Sequence, residues 1–151
     1  MFEYALVLGA KQSNVNALAP VIEKLRHDLS IHGESKVIYG PSEANEPGVF
    51  YVNVSVMVKT NVSFQSFKAY LSSVERYCSL TQQKLVDIDI IIQKNRHELM
   101  FISDKLKKFC HCLLTINDIL PDVCIPEWNK TVAEALSTHP NSTCFKEITL
   151  R

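Results

Sequence analysis

The chain alternates apolar and polar residues in some stretches and repeats apolar residues at helical spacing in others, and this pattern alone lays out an order of elements. Phe2 to Leu8 is apolar and β-rich and stops at Gly9, which predicts a buried first strand. From Ser13 or Asn14, either of which can cap, Leu18, Ile22, Leu25 and Leu29 recur with the period of an amphipathic helix, expected to end near Gly33. Lys36 to Tyr39 reads as a short strand, and Gly40 to Gly48 has the turn chemistry of an exposed loop able to cover a site. Val52, Val54, Val56 and Val58 alternate with Tyr51, Asn53, Ser55 and Met57, so this strand has one apolar face. Ser63 is placed to cap a second helix with Phe64, Phe67, Leu71 and Val74 as its buried stripe and Glu75 near its end. Val86, Ile88, Ile90 and Ile92 then alternate with Leu85, Asp87, Asp89 and Ile91 in a further strand. Leu106, Phe109, Leu113 and Ile116 predict a third helix stopped by Pro121, and Thr131 to Leu136 adds a further turn or two.

The order βαββαβ is that of the ferredoxin-like split βαβ, an α+β class. It predicts a four-stranded antiparallel sheet with two helices on one face, and extra helices after it. Length agrees with one domain over 1–151: a chain of 151 residues hides roughly 68–70% of its unfolded surface, enough for a core without a disulfide or structural metal. Sixteen basic against sixteen acidic residues give zero net charge, which argues against nucleic acid as a partner, and no apolar run approaches the ~20 residues of a membrane span. Met1 to Leu8 lacks a basic segment and carries Glu3, so no leader is expected. Five cysteines at irregular spacing suit reduced thiols in a cytoplasm, and the four Asn-x-Ser/Thr sequons at Asn53, Asn61, Asn129 and Asn141 are given no role in that setting.

The candidate chemistry centres on Asp87-Ile88-Asp89. Residues two apart on a strand share a face, roughly 6–7 Å apart at about 3.3 Å rise per residue, and here that face is opposite the isoleucines. Two such carboxylates either decorate a solvated sheet face or hold a cation between them. Mg²⁺ carrying nucleotide phosphates is the usual cation, because it accepts one or two carboxylates and completes its shell with phosphate oxygens and water. Other motifs are poorer. Cys110-His111-Cys112 lacks the second pair of a tetrahedral zinc site, and Lys105, Lys107 and Lys108 read as a solvated helix face able to contact phosphate. No Walker or Gly-x-Gly-x-x-Gly sequence is present, so phosphate would be bound through metal and side chains.

Lys84-Leu85-Val86-Asp87-Ile88-Asp89-Ile90, following a βαββα array, resembles the family of 6-hydroxymethyl-7,8-dihydropterin pyrophosphokinase. Further matching stretches are Ala5 to Gly9, Phe50-Tyr51-Val52-Asn53, Val74-Glu75, and Leu113-Leu114 through Ile119-Leu120-Pro121 to Lys130-Thr131-Val132-Ala133-Glu134. The resemblance implies an ATP-dependent enzyme of folate biosynthesis, in which the pterin hydroxymethyl oxygen attacks the β-phosphorus and AMP leaves. It implies Asp87 and Asp89 as ligands of two Mg²⁺, Tyr51, Asn53 and His111 as pterin contacts, and Glu75 and Lys84 toward the nucleotide, with Lys84 also catalytic. The family's stacking Phe falls on His111, or on Phe109 with a two-residue slip.

The departures are specific. Tyr77-Cys78-Ser79-Leu80-Thr81-Gln82-Gln83-Lys84 stands where the family has Arg-Trp-Gly-Pro-Arg, Gly9 to Asn14 stretches its Gly-Ser-Asn, and Ile102-Ser103 replaces its Pro-His. A lysine does not reproduce a guanidinium's bidentate grip, so slow transfer with weak ATP affinity is expected. Lys11 or the Lys105/Lys107/Lys108 cluster could substitute after folding. The alternative is a weakened relative acting as a pterin-binding or protein-interaction module.

Overall fold

The computed structural model describes residues 1–77 and 83–150. Residues 78–82, which hold most of the stretch standing where the family has Arg-Trp-Gly-Pro-Arg, lie outside them. Among the described residues nine strands and five α-helices follow in chain order: β1 Phe2–Lys11, α1 Leu18–Asp28, β2 Ser30–Glu34, β3 Val37–Pro41, β4 Phe50–Thr60, α2 Phe64–Glu75, β5 Asp87–Asn95, β6 Glu98–Ile102, α3 Lys105–Lys108, α4 Cys110–Ile119, β7 Cys124–Ile125, β8 Lys130–Thr131, α5 Val132–Ser137 and β9 Lys146–Ile148.

Among the described residues the main sheet has seven strands, ordered β6-β5-β1-β4-β3-β9 with β2 also on β4. Every pairing is antiparallel. The expected four-stranded arrangement is therefore too small. Its central strands are present, but three short ones were not predicted: β2, β6 and β9. The first replaces the expected end of the helix. Leu29 turns extended (φ −132, ψ 161) after donating its N–H to Leu25, and residues 30–34 fill the ladder of β4 beyond the reach of β3. Ser35 bridges the gap between β2 and β3, donating its N–H to the Ser55 carbonyl at 2.9 Å and accepting the Ser55 N–H on its hydroxyl at 2.8 Å. The first helix also starts later than its caps suggested: Gln12–Ala17 is a 3₁₀ segment interrupted at Asn14, and Pro20 falls in the first turn of α1, where no N–H is required. Ser63 does occupy the N-cap position of α2.

The sheet is covered on both faces rather than one. Tyr4, Leu6, Leu8 and the four valines of β4 pack with Ile88 against α1 and α2, while Ala5, Val7 and Met57 pack against α4 and α5 from the other side. Alternation fails at one point. In β5 the register against β1 jumps from Leu6↔Ile90 to Ala5↔Ile92, leaving Ile91 as the extra residue of a bulge. Ile92 thereby moves from the predicted Ile88 face into the second core beside Ile91, both fully buried.

The predicted third helix is two. Phe109 is extended (φ −120, ψ 122) between α3 and α4, so Leu106 and Leu113 still reach the core while a fresh helix N-terminus begins at Cys110. α5 starts where Thr131 and Glu134 form a reciprocal capping box. No helix among the described residues is long and apolar enough to cross a membrane.

Candidate active site

Three strands line up one row of residues on the second face of the sheet. Asn53 of β4 pairs with Gly9 of β1, and Gly9 pairs with Asp87 of β5. Two strand spacings separate the outer members, about 10 Å in all. Gly9, between them, has no side chain, so the row has a floor but no filling. A Cβ on Gly9 would sit 2.6 Å from Asn53 Oδ1, which explains why the middle position is glycine.

Above this floor lies a cavity of about 250 Å³. Asn53, Tyr51, Asp87 and Asp89 line it from the sheet, Pro41 from the end of β3 and Ser42, Glu43 and Ala44 from the loop after it, and Lys105, Phe109 and His111 from the α3–α4 junction. Of the expected Gly40–Gly48 loop, Gly40 and Pro41 belong to β3, and residues 41–44 border the cavity. Asp87 and Asp89 face away from α1 and α2, as their parity requires, and Asn53 is only 4% exposed yet opens on the cavity. Phe109 and His111 both reach it. Their rings stack on each other, centroids 5.3 Å apart and 16° from parallel, so the two alignments of the family's aromatic residue converge on one wall.

The acidic end is exposed and paired with lysine. Lys84 Nζ stands 2.7 Å from Asp87 Oδ1 and Lys105 Nζ 2.8 Å from Asp89 Oδ1. The aspartate side chains are 56% and 39% exposed, so each pair is screened and contributes little to stability. Hydrogen bonding to Asp87 raises the Lys84 ammonium above its ordinary range, against a smaller effect of burial. Of the substitutes suggested for the missing arginines, Lys105 is the one that lines the cavity. Lys107 turns away to Asp104 and Glu127, and neither Lys11 nor Lys108 lines the cavity.

Glu75 does not line the cavity. It sits at the end of α2, accepts the Ile88 N–H at 2.8 Å and lies 3.7 Å from Lys84. Burial raises its carboxyl above the ordinary range, an effect that the Ile88 N–H and Lys84 reduce without reversing. Ser103, where the family's histidine was expected, accepts the Lys105 N–H on its hydroxyl at 3.2 Å and so holds the start of α3. Tyr51 donates its hydroxyl to Glu46 at 3.2 Å, and burial, then Glu46 and Asp87, push the phenol upward.

Glu43 went unnoticed in the sequence. Its carboxylate accepts the backbone N–H of Cys110 and of His111 and the ring Nδ1–H of His111, each at 2.9 Å. Burial acts to raise this carboxyl, but the three bonds outweigh it and hold the group below the ordinary carboxylate range. α4 has Phe109 at its N-cap, a residue with no acceptor, and Glu43 supplies the missing one from 67 residues away. That vacancy is the one local signal for Glu43, and it exists only because the helix breaks at Phe109. Cys110 and Cys112 are buried thiols; burial pushes Cys110 up to about 12, with Glu43 adding to it, and raises Cys112 as well.

Asp87 and Asp89 offer hard oxygen donors at an open mouth, a set that suits Mg²⁺ with phosphate oxygens and water completing the shell. Among the described residues no cluster of three or more His, Cys, Asp or Glu side chains is placed to hold a metal by itself.

No protein-family profile matches the chain, and no curated protein matches it. Solved structures do. The chain is similar to wild-type Plasmodium falciparum HPPK-DHPS, with a TM-score of 0.72 and 13% identity over 90% of this chain and 40% of that one. The same protein crystallised with pterin and p-hydroxybenzoate gives a TM-score of 0.74 and 14% identity over 99% of this chain and 47% of that one. A point variant of it with pteroate gives 0.75 and 13% identity over the same shares, 99% and 47%. The chain thus spans less than half the length of these neighbours. At such identity the likeness establishes the fold, that of the HPPK part, and HPPK abbreviates the pyrophosphokinase family that the sequence resembles.

Proposed function

We propose that this chain is a pterin pyrophosphokinase of folate biosynthesis, binding the pterin ring in the cavity beside Asn53 and transferring a pyrophosphoryl group to it from ATP. One observation carries the reading: the Asn53–Gly9–Asp87 row puts an enclosed amide and an open carboxylate pair on one cavity floor, with an aromatic wall beside them. A flat heterocycle needs a face to stack on and an edge that both donates and accepts, and Phe109/His111 and Asn53 supply these. Tyr51, on the same strand face as Asn53, completes the ring side. The fold neighbours bind pterin and pteroate, which supports a pterin ligand here.

Asp87 and Asp89 would hold two Mg²⁺, whose chemistry is to neutralise phosphate charge. The rest falls to the chain's own residues. The pterin hydroxymethyl oxygen forms a bond to the β-phosphorus of ATP and gives up its proton to water at the open mouth, the bond from that phosphorus to the α,β-bridging oxygen breaks, and AMP leaves with that oxygen. Such a transfer asks the protein mainly to align the groups and offset charge. Lys84 and Lys105, now on Asp87 and Asp89, would serve the phosphates as cations, with Glu75 steadying Lys84 from 3.7 Å. A folate-pathway role goes with a cytoplasmic setting, where Cys110, Cys112, Cys124 and Cys144 stay as free thiols.

A second reading, a pterin binder that does not transfer, is favoured by the lysine count. ATP brings about four negative charges to a site whose two lysines are already matched one-to-one by aspartates. Incubation with ATP, Mg²⁺ and 6-hydroxymethyl-7,8-dihydropterin decides between them. AMP and pterin diphosphate in equal amounts support the enzyme. Pterin binding by calorimetry without AMP supports the binder, and binding of neither ligand defeats both.

A further inference from the structure

Glu43 is a largely buried carboxylate, 11% exposed at the side chain, for which the proposed chemistry has no use. A helix N-terminus is ordinarily capped by its own neighbour, a Ser, Asp or Thr one residue ahead. Here the acceptor comes from the loop that roofs the cavity, and it takes the His111 ring along with the two backbone N–H groups. Capping α4 and closing the roof are therefore one event.

The ring bond has a chemical consequence. A carboxylate only accepts, so Nδ1 of His111 must carry the proton, and Nε2 is left as the position free to interact elsewhere. It has a mechanical one as well. Phe109 is extended and outside both helices, and the Phe109–His111 stack depends on where α4 begins and how the imidazole is turned. The Glu43 carboxylate sets both.

Resting on the pterin-binding reading, we infer that Glu43 is a positioning residue for the ring end of the site. It latches residues 41–44 to α4 and holds the His111 imidazole, as the Nδ1–H tautomer, parallel to Phe109. The aromatic wall and its roof are thereby formed before any ligand arrives. Ordering a loop residue costs conformational entropy, so a roof fixed during folding spares the ligand that cost on binding. The latch acts on the ring alone, because the phosphate end is organised by Asp87, Asp89 and their lysines on the other side of Gly9.

The test uses the full chain with 6-hydroxymethylpterin and Mg²⁺-ATP as separate titrants, and ¹⁵N NMR of the His111 ring. In wild type the ring shows a protonated Nδ1 without ligand. Glu43→Ala weakens pterin binding at least about tenfold, with Mg²⁺-ATP affinity changed less than about threefold. Glu43→Gln, which keeps one acceptor but turns an NH₂ toward the Cys110 N–H, falls between and keeps the protein folded should the alanine variant not fold. Unchanged pterin affinity in a folded Glu43→Gln or Glu43→Ala protein overturns the inference, as does equal weakening of pterin and ATP. If wild type binds no pterin, the proposed function falls. The ring signal then judges the latch separately: loss of the Nδ1–H signature in Glu43→Ala, or in Glu43→Leu should the alanine variant not fold, upholds it, and a signal identical to wild type in that variant overturns it.

Discussion

At one end of the cavity Asn53 and Glu43 are enclosed, and Glu43 takes three N–H bonds from α4; at the other, Asp87 is exposed and Asp89 partly so, with one lysine each. The two ends are less than three strands apart on the same floor. On the proposed function, their difference follows from what each would meet. A neutral planar ring binds best to walls already in place, since its binding energy is small and is easily consumed in ordering the protein. A polyphosphate arrives with its own cations and charge, so an open mouth whose ion pairs exchange at little cost serves it better than a rigid one.

The largest effect belongs at the open end. Asp87→Ala removes the carboxylate without disturbing either core, and AMP formation should fall by on the order of 10²–10³ or more while pterin affinity holds within a few-fold. Comparable loss of pterin affinity in this variant would erase the division between the ends.

Gly9→Ala strikes the floor between them. The added Cβ must displace the Asn53 amide, 2.6 Å away, and the overpacking should cost about 1–3 kcal/mol in a urea or thermal melt. Pterin affinity should fall by roughly 10–100-fold as the amide leaves its place. An unaffected melt would mean that Asn53 has room to move.

Lys105→Ala should raise the Kd for Mg²⁺-ATP by about tenfold at low salt and by less at higher ionic strength, since the group is half exposed. Lys108→Ala, one turn on and outside the cavity, should leave it unchanged. Equal effects of the two would reduce Lys105 to a member of a diffuse basic surface.

The smallest effect is in the pH dependence of stability of the Mg²⁺-free protein. Glu43 has a depressed folded pKa, so its contribution is present above the ordinary carboxylate value and is lost as pH falls through the lower folded value. Glu75 has a raised one, so its ionisation costs stability above that value, and the cost is relieved as pH falls toward the ordinary range. Urea midpoints should therefore drop for Glu43→Gln at neutral pH and converge on wild type in acid, whereas Glu75→Gln should equal or slightly exceed wild type at neutral pH. A Glu75→Gln midpoint that falls as far as that of Glu43→Gln would contradict the assignment.

What could be read from the chain alone was whatever depends on period and local chemistry. The valine strand, the helix that begins after Ser63, the shared face of Asp87 and Asp89, and the loop that borders the cavity all follow from spacing two, spacing three to four, and turn residues. Tyr51, Asn53, His111 and the two aspartates were named from the sequence, and folding brings them to one cavity, whereas Glu75 and Lys84 were named and lie outside its walls, Lys84 meeting the site only through Asp87.

Tertiary structure decided the rest, because its causes are not local. The bulge at Ile91 exists only against β1, and it alone sends Ile92 to the second core. Residues 30–34 became a strand because β4 had an open ladder beside them, which outweighed their continuation of a helix. Lys105 was chosen over Lys107 and Lys108 by where α3 meets Asp89. Glu43 found its three donors across 67 residues only after the helix broke at Phe109. A periodic pattern records which side of an element is buried; which distant atoms answer its unpaired N–H groups and carboxylates is settled when the layers close.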